Sequence, residues 1–475
     1  MPSAKASLVK AMAVALCAAQ GAMALSATLF AETADNGAPR RLALSLDQAV
    51  ATALSEDLGV IGANLDRLSA GAKAESASWR RIPSLTASAG YTRLSDLRSS
   101  LNLGPVIGDI AFGSLDNLYS FGLNLQYPIF AGFRVKENIA ISGLQVKSKE
   151  LARETIERAL VFDVRKAYWE AVRATYNRSV LGKNLELMRQ NGELADRQFA
   201  QGVATRADQL AARMRLDQAI EDLGDARAVE KRAFLALAAL TGEDIASLGV
   251  STAADGAPMP FELTTKPDEA ALPQAAAVGE ATLVSAALAR RPETRGAVLA
   301  RELAMHAVEL SRAALYPTVA LTGNYTYADP NQRVWFQSDP YKFTGTWALG
   351  LQMSFDLGGI PIALDDVKAQ SLAASKAKTD EEKQRRAVVL DVENCIVNLD
   401  RAKRDLGSTA AMLEEANENL RVAQGKVAAG TAKDVDLNSS RFGLLRSEFA
   451  VTNKRIDLLI AYADLARATA SEDLK

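Results

Sequence analysis

Apolar and polar side chains alternate strictly along two stretches of the chain. Tyr119, Phe121, Leu123, Leu125, Tyr127 and Ile129 interleave with Ser120, Gly122, Asn124, Gln126 and Pro128. Phe343, Trp347, Leu349, Leu351, Met353 and Phe355 interleave with Lys342, Thr344, Thr346, Gly350, Gln352 and Ser354. A period of two predicts strands with one apolar and one polar face. Leu85 to Tyr91 and Val319 to Tyr327 repeat the pattern more weakly. Each stretch is about ten residues, the length of a tilted membrane-spanning strand. A small soluble sheet with one face on a core is the alternative. Tyr91, Tyr119, Tyr127, Tyr325 and Tyr327 near the strand ends suit interfacial girdles instead. The connections Leu94 to Leu118 and Ala328 to Tyr341 are rich in turn-forming residues and read as exposed loops.

A second periodicity takes over after the strands. Residues 134–200 and 363–429 each run without a proline, long enough for rods of roughly 100 Å. Val388, Val392, Cys395, Leu399, Ala402, Leu406, Thr409, Leu413, Ala416, Leu420, Ala423 and Val427 alternate spacings of four and three. The register recurs as Leu160, Val164, Ala167, Ala171, Ala174, Arg178, Leu181, Leu185, Met188, Gly192, Ala195 and Phe199, with Arg178 and Gly192 as exceptions. A period of 3.5 means coiled-coil packing. Each seam stops just before a glycine, Gly202 or Gly430, where a hairpin is expected to turn. Returning helices are expected over about 205–240 and 433–469, and half-length helices before the strands over about 45–81 and 282–315. A half-length helix from each side of the strands can stack end to end beside one rod. That makes a wall with turns at one end and strands at the other.

The chain is written twice. Ala53-Leu54 recurs as Ala287-Leu288 and Tyr91-Thr92 as Tyr325-Thr326, both at an offset of 234. Gly202, Ala204 and Asp208 recur as Gly430, Ala432 and Asp436, at 228. The repeats are read as residues 42–247 and 280–470, joined by a Pro-rich linker at 248–279 that is unfit for a long helix. Four strands leave two open edges, which lipid does not tolerate, and membrane barrels need about eight strands or more. Several copies must therefore share one barrel: two give eight strands, three twelve, four sixteen.

Residues 1–24 read as a cleaved export signal, with Lys5 and Lys10 before the apolar run Ala11 to Ala19 and Ala22-Met23-Ala24 as the cleavage motif. The competing reading is a membrane anchor, but the stretch is Ala-rich and broken by Gln20 and Gly21. Leu16 before Cys17 disfavours lipidation. The charges nearly cancel, 55 Lys plus Arg against 57 Asp plus Glu, which argues against nucleic acid as a partner. One histidine and two cysteines exclude multi-His and Cys₄ metal sites. His306 has no evident partner and reads as structural; Cys395, in the seam, reads as a small hydrophobe. Catalytic motifs such as G-x-S-x-G, H-E-x-x-H and the P-loop are missing, so neither an enzyme nor a cofactor is expected.

The chain resembles the TolC-type outer-membrane efflux and secretion channels. The carriers are Leu46 to Leu54, Ile82-Pro83-Ser84-Leu85 leading to Gly90-Tyr91-Thr92, Leu125 to Gly132, and Phe199 to Thr205 with Asp208. The echo of the last, ending in Gly430-Thr431 with Asp436, completes them. The resemblance spans about residues 42–470 and implies a mainly α fold with membrane β. It implies a homotrimer with a 12-stranded barrel in the outer membrane, four strands per chain. A coiled-coil α-helical barrel continues it through the periplasm. The implied function is a passive exit duct of a tripartite efflux pump or type I secretion system. The duct is opened by a periplasmic adaptor with an inner-membrane pump or ABC exporter. Asp436 falls on an aspartate that rings the periplasmic mouth in this family, and Asp434 and Lys433 are the substitutes for the family's other gate residues. The family's next aspartate is Ser439 here, and its basic residue after the turn glycine is Ala432. The plainer reading is that both acids only favour a helix N-terminus. The expected adaptor contacts are Gly202, Val203, Ala204 and Thr205 with Gly430, Thr431, Ala432 and Lys433. A periplasmic coiled-coil scaffold or adaptor without a pore is the runner-up.

Overall fold

The computed structural model describes residues 42–95, 99–102, 109–112, 117–243, 261–268, 279–331, 333, 342–431 and 434–471. The signal expected at residues 1–24 and most of the linker 248–279 lie outside the described residues, as do parts of both strand-connecting loops. Ala43–Lys475 forms one compact unit, within which the contacts below lie.

The first half carries β1 (Leu42–Leu44), α1 (Leu46–Glu56), α2 (Leu58–Trp79), β2 (Ser84–Arg93), β3 (Ser99–Asn102), β4 (Asp109–Phe112), β5 (Asn117–Ala131), α3 (Arg134–Ala200) and α4 (Arg206–Thr241). The second carries β6 (Phe261–Leu263), α5 (Glu280–Arg290), α6 (Pro292–Arg312), a short 3₁₀ turn at Ala313–Leu315, β7 (Thr318–Asp329), β8 (Thr344–Ser354), α7 (Ile360–Ala428) and α8 (Asp434–Thr469).

The expected rods are present, at 67 residues for α3 and 69 for α7. α7 begins three residues earlier than expected, because Pro361 sits in the first turn, where its missing N–H removes no helical bond. The half-length helices before the strands are each two helices. Asp57, with ψ 124°, ends α1, and its carboxylate caps α2 by accepting from Val60 N at 2.9 Å. Arg291, with ψ 130°, separates α5 from α6, since a residue before proline is pushed out of the helical region.

α2 lies along the strand-proximal part of α3, where Lys149 Nζ meets Asp66 Oδ2 at 2.6 Å. α4 lies along the distal part, where Arg178 Nε meets Glu230 Oε2 at 2.8 Å. α6 and α8 stack in the same way beside α7, through Arg301–Glu381 at 3.0 Å and Lys454–Asp405 at 3.2 Å. They also touch α3, through Arg295–Glu154 at 3.1 Å and Arg173–Asp457. Across its width the wall therefore runs α2/α4, α3, α6/α8, α7. The seam residues of α7 are all buried or half-buried. Arg178, the polar exception in α3, is explained by Glu230, a carboxylate buried enough to be pushed above its ordinary 4.5 despite that partner.

At mid-height β1 pairs with β6, two strands too short to show a period in the sequence. The buried Tyr168 of α3 ties them in: its hydroxyl donates to Leu44 O at 3.1 Å and accepts from Thr265 N at 3.0 Å. Around it pack Val164, Trp169, Phe234, Leu237 and Ile456.

The remaining strands form an antiparallel sheet in the order β2-β5-β7-β8. The register puts Ala87, Leu123, Tyr325 and Trp347 in one row, and Leu85, Leu125, Gly323 and Leu349 in another, on one face. The opposite face carries Thr86, Asn124 and Asn324 in one row and Ser88, Thr326 and Thr346 in another. Aromatic rings gather at both ends of the apolar face. Tyr91–Tyr119 (5.0 Å) and Tyr327–Phe343 (5.1 Å) lie far from the helices, and Phe130–Phe133 (5.5 Å) beside them. The first connecting segment is not wholly loop, since β3 and β4 pair within it. Among the described residues no helix is long and apolar enough to cross a membrane.

Candidate functional site

Both hairpin turns rest on a glycine in the left-handed region, Gly202 at φ 74° and Gly430 at φ 70°. Gly202 N donates to Phe199 O and Val203 N to Gln198 O, each at 2.9 Å. Gly430 N donates to Val427 O and Thr431 N to Lys426 O, also at 2.9 Å. The two turns thus close the last carbonyls of α3 and α7 in the same way.

Past the first turn, Thr205 and Asp208 form a capping box. Asp208 N donates to Thr205 Oγ1 at 3.2 Å, and Thr205 N donates to Asp208 Oδ2 at 3.0 Å. Behind it Asp196 accepts from Gln209 and from Arg213, the latter at 3.2 Å, while Arg206 donates to Gln209. The hydrogen bond from Gln209, then the charges of Arg213 and Arg206, hold the Asp196 carboxyl below its ordinary 3.8. Val203 stands at the tip, 75% exposed.

Past the second turn, Asp434 opens α8 and Asp436 follows on an exposed position. Ala432, Lys433 and the side chain of Asp434 lie outside the described residues. The two turns sit at the same end of the wall. Buried Asn438 of α8 donates from Nδ2 to Asn191 Oδ1 of α3 at 2.8 Å, and Arg441 donates to Asn438 Oδ1 at 3.4 Å. Sequence reasoning missed this crossing. The one available signal was an amide two residues after Asp436, and nothing in the sequence connects it to a residue 247 positions away.

His306 does have a partner. Its Nδ1 lies 2.6 Å from Oε2 of Glu137, a buried carboxylate in the first turn of α3. Cys395 is buried as expected, and burial followed by the charge and hydrogen bond of Asp464 pushes its thiol up to about 12, so it stays protonated. A larger cluster went unread. Arg291, 6% exposed, donates to Asp391 at 2.6 Å and to Glu293 at 3.0 Å, and Arg467 bridges Asp391 and Asp464. Among the described residues no group of three or more His, Cys, Asp and Glu is arranged to hold a metal.

Known proteins share this architecture. The chain is 25% identical over 421 residues to the pyoverdine export outer membrane protein OpmQ of Pseudomonas aeruginosa, covering 87% of this chain and 82% of OpmQ. The CmeC outer membrane channel of Campylobacter jejuni superposes with a TM-score of 0.72 at 16% identity, over 89% of this chain and 85% of CmeC. The open state of the MtrE outer membrane channel of Neisseria gonorrhoeae gives 0.70 at 18% identity, over 94% and 96%. The sequence model of the outer membrane efflux protein family matches residues 49–243 and 283–471, the two helix–strand–hairpin halves described above. By that match the chain belongs to the outer membrane efflux protein family.

Proposed function

We propose that three copies of this chain close around one axis into a single duct. The observation that carries this reading is a matched pair of open edges. In the sheet, β2 and β8 each lack a neighbour on one side among the described residues. In the wall, α2/α4 and α7 are the outer helices, and both expose apolar side chains: Leu65, Leu68 and Met214 on one edge, Leu372, Val397 and Met412 on the other. The β2 edge continues into α2 and the β8 edge into α7, so one operation that joins the strands also joins the helices. Three copies give a twelve-stranded barrel with the apolar face toward lipid and Asn124 and Asn324 toward the lumen.

The chain is an outer-membrane efflux channel of a tripartite pump, with its helical part extending into the periplasm. The reading assigns it no reaction of its own; cargo is driven by the inner-membrane component. Native mass spectrometry of the detergent-solubilised protein should find three copies, and planar bilayers should show a pore. A folded monomer, or a trimer that never conducts, would instead favour a pore-less scaffold.

The turn end is assigned to gating and docking. Three Asp436 side chains around the axis form a carboxylate collar that favours cations. Asp436→Asn is expected to lower cation selectivity and relieve block by multivalent cations in single-channel recordings; unchanged selectivity would remove Asp436 from the gate. Val203 and Gly202 on the first turn, and Thr431 on the second, are assigned to the adaptor. Val203→Cys should cross-link to the periplasmic adaptor in cells, whereas Met214→Cys on the helix edge should not; equal cross-linking at both would argue against docking at the tip.

A further inference from the structure

We propose that a cavity at the junction of the α2–β2 turn, β5 and α3 binds the phosphate of a phospholipid headgroup in the periplasm-facing leaflet of the outer membrane. This rests on the channel reading above.

The cavity is open to one side and has a volume of about 350 Å³. Its wall combines three cations, Arg80, Arg81 and Lys136, with the apolar residues Tyr127, Ile129 and Phe130, and no carboxylate lines it. α2 ends in a tight turn, with Arg80 N donating to Ala77 O and Arg81 N to Ser78 O. That turn leaves two adjacent arginines at the foot of β2, both exposed. Neither guanidinium forms an ion pair among the described residues. The side chain of Lys136 is 75% exposed, and its ammonium has only a distant partner, Glu137 at 3.8 Å. Two cations side by side repel, and a third nearby adds to that, so the site is electrostatically complementary to an anion.

The apolar half of the wall decides which anion. Tyr127 pairs in register with Leu321, and Phe130 with Val319, which places both on the lipid-facing side of the sheet. Phe133 and Tyr316 pack edge-on to Phe130, at 5.5 and 6.4 Å. The cations therefore sit where the apolar band ends and the helical wall begins, the depth of a headgroup phosphate, with an aromatic surface at the depth of the first acyl carbons. A soluble anion uses only the cationic half; an amphiphile with a phosphodiester uses both.

The test uses the full-length assembly in nanodiscs of phosphatidylcholine containing phosphatidylglycerol, with native mass spectrometry to count retained phosphatidylglycerol. The unaltered protein should hold one per chain. R80Q/R81Q/K136Q should weaken retention about fivefold per cation, on the order of a hundredfold together. Arg93→Gln, at the far end of β2, should leave it unchanged. If the triple variant does not assemble, R80Q and R81Q singly should each show the smaller loss. Equal retention by the unaltered and triple proteins overturns the proposal, as does displacement of the lipid by excess inorganic phosphate. Membrane fractionation of the same samples separates the two readings: absence from the outer membrane defeats the channel reading, whereas unchanged fractionation without lipid retention defeats this site alone.

Discussion

Leu123→Arg is expected to abolish assembly in the outer membrane, while Asn124→Arg, one residue along the same strand, leaves it intact. Leu123 lies midway along β5, in register with Ala87, Tyr325 and Trp347 on the apolar face. Asn124 lies in register with Thr86 and Asn324 on the polar face. Arginine on the lipid face of a membrane strand costs about 2–4 kcal/mol at the bilayer midplane, and a trimer incurs that cost three times. Arginine on the lumen face stays in water. The measurement is the fraction of SDS-resistant trimer recovered from outer membranes for each variant. Equal recovery would mean that the alternation faces a soluble core.

Arg291→Leu is expected to destabilise the helical wall by about 3 kcal/mol, the low end for removing one partner of a buried ion pair, because Glu293 and Asp391 keep about a third of their surface exposed. Arg291 joins the α5–α6 break to α7 and, through Ala468 O at 3.4 Å, to the end of α8. Its loss removes the hydrogen-bond partner of Glu293 and leaves Asp391 with Arg467 alone. The midpoint of urea unfolding, followed by helical circular dichroism, reports the cost. The pH dependence carries an independent signature. Burial, the largest single effect, acts to raise the Glu293 and Asp391 carboxyls, but the hydrogen bonds and charge of Arg291 together with the charge of Arg467 hold both below their ordinary 4.5 and 3.8. A depressed carboxyl contributes stability above its ordinary value and loses it as pH falls through the folded one. The unaltered protein should therefore lose stability progressively below about pH 4.5, and the variant should show a flatter acid limb. An identical acid limb would place the stabilisation elsewhere.

The limits of the sequence reading fall at particular residues. The heptads of α7 were legible because Val388, Val392, Cys395 and Leu399 each face the same seam, and a period integrates over many turns. The strand faces were legible for the same reason. The breaks at Asp57 and Arg291 interrupt that signal at one residue only. The clue at Arg291 was the proline after it, outweighed by the apolar pattern continuing on both sides. At the candidate site the turn glycines stood out as stops after two long seams. Asp436 was picked out by family resemblance alone, since an exposed acid near a helix start has no periodic signature. Asn438, bonded across to Asn191, gave no sign of its partner.

What the amino-acid order determined by itself is everything governed by local period and stop signals: two rods, four amphipathic strands and two glycine turns. What only the tertiary structure decided is which charges meet. His306 finds Glu137 from 169 positions away, Arg291 finds Asp391 from 100, and Arg80 and Arg81 share a cavity with Lys136. Backbone periodicity acts between near neighbours and leaves a trace in every turn. A single long-range ion pair depends on where two helices happen to cross, and that crossing is set by packing summed over the whole wall.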